Sequence, residues 1–250
     1  MSAIEASAVG ALASEDRARV YRTLARLFRP PDEQSVESLR RHDFPELRAA
    51  LGRLGASADL RGAAKDLGAS LAGASAEHLG RAYHETFEAS GGLRCSPHET
   101  THTAETGQQA LTKTFELADV AGFYRAFGVE LTPGTERADH IAVELEFMHL
   151  LAVKEAVARR LENEGEHVDV CREAARTFLG DHLGRWATRL AECLEEAETD
   201  PLYASAGRVL ERFVTLDAAW LGVSGGTQSE ELDLKGRGSH AAGGHRSRFL

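Results

Sequence analysis

Apolar positions along this chain recur at three- and four-residue spacing, and no stretch shows the two-residue alternation of a half-buried strand. Val20, Tyr21, Leu24, Leu27 and Phe28 mark one face of an early helix that Pro30-Pro31 stops. Ser14 is placed to cap it, with Glu15 and Asp16 in a first turn where acids favour the helix dipole. A short helix is expected around Val36 and Leu39. Another runs from Pro45 with Leu47, Leu51 and Leu54 on one side, and a third carries Leu60, Ala64, Leu67 and Leu71. Ser75 caps the next, in which Leu79, Tyr83 and Phe87 follow at four-residue steps until Gly91-Gly92.

Residues 90–104, SGGLRCSPHETTHTA, read as a polar loop of functional length. Beyond them a helix from about Glu105 keeps Phe115, Ala118, Val120, Tyr124 and Phe127 on one side and closes at Gly128. The stretch 136–155, ERADHIAVELEFMHLLAVKE, is the most apolar of all. Ile141, Leu145, Met148 and Ala152 fall at helical spacing with Val143, Phe147 and Leu151 beside them, a band wide enough to be buried on more than one side. A polar break, NEGEHVD, separates it from a helix over residues 171–196, with Phe178, Leu183, Trp186 and Leu190 inward. Pro201 opens the last helix, where proline is tolerated, and Leu202, Ala206, Leu210, Phe213 and Trp220 line it. The pattern predicts an all-α fold: one multi-helix, bundle-like domain over residues 14–222, a flexible stretch at 1–13 and a disordered Gly/Ser/His-rich tail at 223–250.

Composition narrows the function. With 42% apolar and 27% charged residues the 250-residue chain is an ordinary globular protein. Its net charge of −10 argues against general nucleic-acid binding and suits a basic partner. No segment has the length of a membrane span, and the N-terminus lacks the features of a signal peptide. Three widely spaced cysteines, Cys95, Cys171 and Cys193, give no disulfide framework and point to a reducing cytoplasm, with Cys171 and Cys193 read as core residues.

Two constellations carry candidate chemistry. His98-Glu99-Thr100-Thr101-His102 fits HExxH, which on a buried helix would hold zinc with the glutamate as general base. Here it follows Ser96-Pro97 among threonines and lacks an apolar flank, and a third ligand would have to be Glu116 or Glu130. A non-catalytic metal site from Cys95, His98 and His102 is a further reading, and a polar loop over a groove is the ordinary one. Asp139-His140 stands at the mouth of the apolar helix, as a helix cap, a ligand contact or both, with a histidine that could titrate near neutral pH. Tyr83 and Phe87 are core or groove lining. Glu144, Glu146 and Glu155 form a solvated face or an acidic rim.

In order, YRTLARLF, YHETFEASGGLRCSPHET, ELADVAGFYRAFGVE and ERADHIAVELEFMHLL, then FLGDHLGRWATRL and YASAGRVLERF, resemble the TorD/DmsD/NarJ family of molybdoenzyme maturation chaperones. The closest likeness is to those accompanying ethylbenzene dehydrogenase-, dimethylsulfide dehydrogenase- and selenate reductase-like enzymes. The resemblance implies a non-catalytic cytoplasmic protein without a cofactor of its own. Its partner would be the immature catalytic subunit of a DMSO-reductase-family molybdoenzyme and that subunit's twin-arginine signal peptide. It would assist cofactor insertion and delay export. Peptide binding is carried over onto Glu136, Asp139 and His140, with Arg137 where proline is usual, and onto Tyr83, Phe87 and Pro97, with His98 where an aromatic is frequent. A zinc hydrolase with His98 and His102 as ligands, and a helical scaffold that reads no leader, are the alternatives.

Overall fold

The computed structural model describes residues 3–88, 95–103, 109–132, 136–161 and 165–223. Eleven α-helices are formed among them: α1 (Ala3–Leu27), α2 (Glu33–Ser38), α3 (Phe44–Arg53), α4 (Ala58–Gly73), α5 (Ala76–Tyr83), α6 (Glu99–Thr103), α7 (Gln109–Ala126), α8 (Ile141–Arg160), α9 (Gly165–Phe178), α10 (Gly184–Glu196) and α11 (Pro201–Leu221). The described residues form no strand, only an isolated antiparallel bridge between His98 and His140. None of the helices is long and apolar enough to cross a membrane.

The helix ends follow local chemistry. Ser57, Ser75 and Asp200 each accept a hydrogen bond from a first-turn amide, Pro201 occupies the first turn of α11, and Gly222 closes that helix at φ 74°. At its start, however, α1 departs from the expected pattern. The backbone is helical from Ala3, so Ser14 lies inside the helix with its hydroxyl donating to the Gly10 carbonyl, and the stretch expected to be flexible is helical from residue 3. Likewise, residues 171–196 are not one helix. A π-helical turn, Leu179–Leu183, joins α9 to α10. The expected tail lies outside the described residues from residue 224, as do the Gly91-Gly92 stop and Glu105.

Helix α8 is the axis of the fold. It lies along α1 and α9, while α11 packs on α4 and α10. Ile141, Leu145, Met148 and Leu151 are fully buried, as the wide apolar band predicts. The same band also carries acids into the interior. Glu144 and Glu155 are buried, so of the three glutamates read as a solvated face or rim only Glu146 is at the surface. Glu155 accepts from Arg17 at 2.8 Å, and Arg17 also grips Asp217 through two nitrogens, while Tyr21 donates to Asp217 at 2.6 Å. The guanidinium further lies 4.4 Å from the Trp220 ring centroid. One buried cation thereby ties α1 to α8 and α11.

Candidate functional site

Two segments distant in sequence meet at the entrance to α8. The Ile141 amide donates to the Pro97 carbonyl at 2.8 Å and the Glu99 amide to the Asp139 carbonyl at 2.9 Å. This short bridge lays residues 97–99 against 139–141, and each segment then starts a helix. His140 caps α8: its Nδ1 accepts from the Ala142 amide at 3.1 Å, which leaves the ring proton on Nε2. Asp139 serves α6 instead. Its Oδ2 accepts from the Thr100 amide at 3.3 Å, from the Thr100 hydroxyl at 2.7 Å and from Arg137 at 2.9 Å. The capping role expected of Asp139 thus belongs to His140, and Asp139 anchors the opposite segment.

Burial sets the ionisation of both groups. Asp139 and His140 are 0% and 1% exposed. Burial raises the Asp139 pKa, but the His98 imidazole, the Thr100 bonds and Arg137 outweigh it and bring the carboxyl to about 2. Burial, with the charges of His98 and Arg29 adding, lowers His140 to about 3. The ring is therefore neutral at physiological pH, contrary to the expected near-neutral titration. His98 Nδ1 stands 3.5 Å from Asp139 Oδ1, and neither atom has a hydrogen-bond partner among the described residues.

Beneath the bridge is a second polar layer that the sequence reading missed. Glu99 is fully buried, with both carboxylate oxygens 3.3 Å from His182 Nδ1. Beside it, Glu144 accepts from the Trp186 indole at 3.0 Å through one oxygen, and the other has no hydrogen-bond partner among the described residues. Burial and the Glu99 charge push Glu144 well above the usual carboxylate range. The signal was present in the spacing. Glu144 shares the buried face of Met148 and Leu151, and His182 sits four residues from both Phe178 and Trp186.

The HExxH residues diverge. The His98 ring meets His140 edge-on at 5.3 Å, Glu99 turns inward to His182, and His102 stacks on Trp186 at 5.3 Å while its Nε2 donates to the Ser96 carbonyl at 2.7 Å. Among the described residues no group of three His, Cys, Asp or Glu side chains converges as a metal site, and the zinc reading through His98 and His102 is set aside. Nor do residues 95–103 arch over a groove as a polar loop. Cys95, Ser96, Glu99 and Thr100 are buried, and Cys95 is bonded to Cys193 of α10. That pairing corrects both the expectation of no disulfide and the reading of Cys193 as a plain core residue, and Cys171 is the free buried thiol.

Of the residues carried over as peptide contacts, Pro97, Asp139 and His140 come together but are buried. Tyr83 and Phe87 join an aromatic cluster with Tyr203 and Phe28, at centroid distances of 5.0–6.2 Å, and are 3% exposed. What reaches solvent is the rim. Glu136, Arg137 and His98 have side-chain exposures of 37%, 50% and 19%. Around them are Glu88 and the Arg29–Glu146 pair. The Tyr83 hydroxyl registers this rim, since burial first, then the Glu136 and Glu88 charges, raise its pKa.

Residues 53–192 match the family described as nitrate reductase delta subunit. The chain belongs to this family. It is 32% identical over 148 residues to a selenate reductase assembly chaperone of Thauera selenatis, covering 58% of this chain and 72% of that one. Over 149 residues it is 33% identical to a chlorate reductase assembly chaperone of Ideonella dechloratans, covering 59% and 69%. A TorD chaperone of Vibrio parahaemolyticus aligns over 214 residues at 25% identity, covering 83% and 95%. These relatives are named assembly chaperones, not catalysts, in accord with the expected non-enzymatic role and the TorD/DmsD/NarJ resemblance.

Proposed function

We propose that this protein is a cytoplasmic assembly chaperone for the catalytic subunit of a molybdenum oxidoreductase, binding it before export and assisting cofactor insertion. The similarity to the selenate and chlorate reductase assembly chaperones carries this reading. Within the family fold, the junction of residues 95–103 with 136–141 is the part built for recognition. Its exposed rim is acidic, with Glu136 near Glu88 and Glu146, and the Tyr83–Phe87 pair lies buried beneath it. A twin-arginine leader offers the complement: cations that acidic groups steer and an apolar stretch whose burial supplies affinity, at roughly 25 cal/mol per Å² before ordering costs.

The burial of Asp139 and His140 changes their part in this reading. They are positioning residues that hold Glu136, Arg137 and His98 at the surface, and a leader reaches them only if residues 95–103 move. Calorimetry with a synthetic leader containing the arginine pair and its apolar stretch tests the assignment. The charge reversal Glu136→Lys is expected to weaken binding by about tenfold, in the range of a charged contact, with the fold intact. Unchanged affinity would remove the rim from the interface. If the leader fails to bind the wild-type protein while the leader-deleted subunit binds, the protein is a scaffold that reads no leader.

A further inference from the structure

The segment 95–103 is fastened to α10 three times. His102 stacks on Trp186, Arg189 donates to the His102 carbonyl, and Cys95 is linked to Cys193 with their Cα atoms 5.7 Å apart. The first two are reversible contacts. The third is covalent and spans 98 residues of sequence. The same segment bridges residues 139–141 and supplies both Thr100 bonds to Asp139, so it stands between Asp139–His140 and a ligand. In the cytoplasmic setting of the chaperone reading above a structural disulfide has no ordinary use, and disulfides in a reducing compartment are characteristically transient and redox-sensing. Cys95 is buried and Cys193 half-buried, so Cys193 is the more accessible partner.

We propose that Cys95 and Cys193 are a reversible thiol–disulfide site that latches residues 95–103 over the Asp139–His140 junction when oxidised and releases them when reduced. The oxidant class is a low-molecular-weight disulfide such as glutathione disulfide. The Cys193 thiolate attacks one of its sulfurs and expels one thiol. Attack by the Cys95 thiolate on the mixed disulfide then expels the second. The two cysteines lose two electrons and two protons, the oxidant is reduced to two thiols, and a dithiol reductant reverses the sequence. Reduction leaves the segment held by non-covalent contacts alone, among them the stack, the Arg189 contact, the bridge and the Thr100 bonds to Asp139. The segment then opens more often, and client binding follows the redox state. This last step rests on the chaperone reading above.

The test uses the full chain equilibrated in glutathione buffers. Alkylation and mass spectrometry read the cysteine states, hydrogen exchange reads the amides of residues 95–103, and calorimetry reads a synthetic twin-arginine leader. Oxidised buffer should link Cys95 to Cys193 and leave Cys171 a thiol. Reduction should speed exchange of those amides by about tenfold or more, with α1 and α8 unaffected. It should also tighten leader binding by about tenfold. Cys95→Ser should match the reduced protein in both buffers. If that variant does not fold, reduction of the wild-type protein gives the same comparison. Free Cys95 and Cys193 in oxidised buffer, or equal exchange in both states, overturns the latch. Exchange that responds to reduction while affinity does not overturns the link to client binding. Leader binding in neither state, with exchange responding as expected, upholds the latch and counts against leader recognition instead.

Discussion

His140 shows how one side chain can serve the fold through being uncharged. Its Nδ1 caps α8, and burial holds its pKa near 3. As pH falls, the unfolded chain takes up this proton at about 6.5 while the folded chain refuses it until about 3, so stability should decline across that window. His140→Asn keeps a cap acceptor without a titrating ring. Urea unfolding at pH 7 and pH 5 should show a smaller loss for the variant than for the wild type. Glu144 has the opposite sign. Its raised pKa means that the folded protein keeps a proton which the unfolded chain releases above about 4.5, so its contribution falls as pH rises. Glu144→Gln should match or exceed wild-type stability at pH 8, by about 1 kcal/mol, and lose that advantage near pH 5, because the amide accepts from Trp186 without ionising. That Asp139 and His140 stand at the entrance to α8 could be read from the chain. That they are buried could not, because the partner that covers them, residues 97–100, lies some forty positions away.

Among the elements, legibility followed the spacing of apolar residues. Helices α8 and α11 were clear because their three- and four-residue patterns run unbroken, whereas the pattern expected to carry α5 on through Phe87 passes at His84–Glu88 into a π-helical turn. The division of α9 from α10 was not, because the π-helical turn inserts its extra residue while Phe178, Leu179, Leu183 and Trp186 keep an apparently helical rhythm. The length of α1 was hidden for a different reason. Its first turns are small residues without an apolar stripe, and a polar Ser14 resembles a cap until its Gly10 bond is seen. Close approach of α10 and α11 depends on Gly207, where a Cβ would lie 3.1 Å from a Leu194 methyl and 3.2 Å from the Ala191 Cα. Gly207→Val should therefore cost about 1–3 kcal/mol in denaturant unfolding by forcing the two helices apart. A wild-type midpoint would show that the contact is slack.

The whole molecule is held by a buried charge network as well as by its apolar core. Arg17 satisfies Asp217 and Glu155 at once, and its removal leaves two buried carboxylates without their shared cation. Arg17→Ala should destabilise the protein by about 3–5 kcal/mol, read from urea unfolding at pH 7. A cost below about 1 kcal/mol would mean that water or Arg159 and Arg172 take over. The all-α class and family membership were legible from ordered motifs spread along the chain. The disulfide and the inner Glu99–His182 layer were not, because both depend on contacts closed only by the tertiary fold. At this scale the central claim is that the protein accompanies an immature molybdenum enzyme. Its most direct test is affinity isolation of the tagged full chain from its native host, followed by mass spectrometry of what is retained and metal analysis of the retained subunit. The expected result is enrichment of a molybdoenzyme catalytic subunit that still carries its leader and lacks molybdenum, and a loss of that enrichment with Glu136→Lys. Absence of any such subunit, or retention of only the mature metal-loaded enzyme, would contradict it.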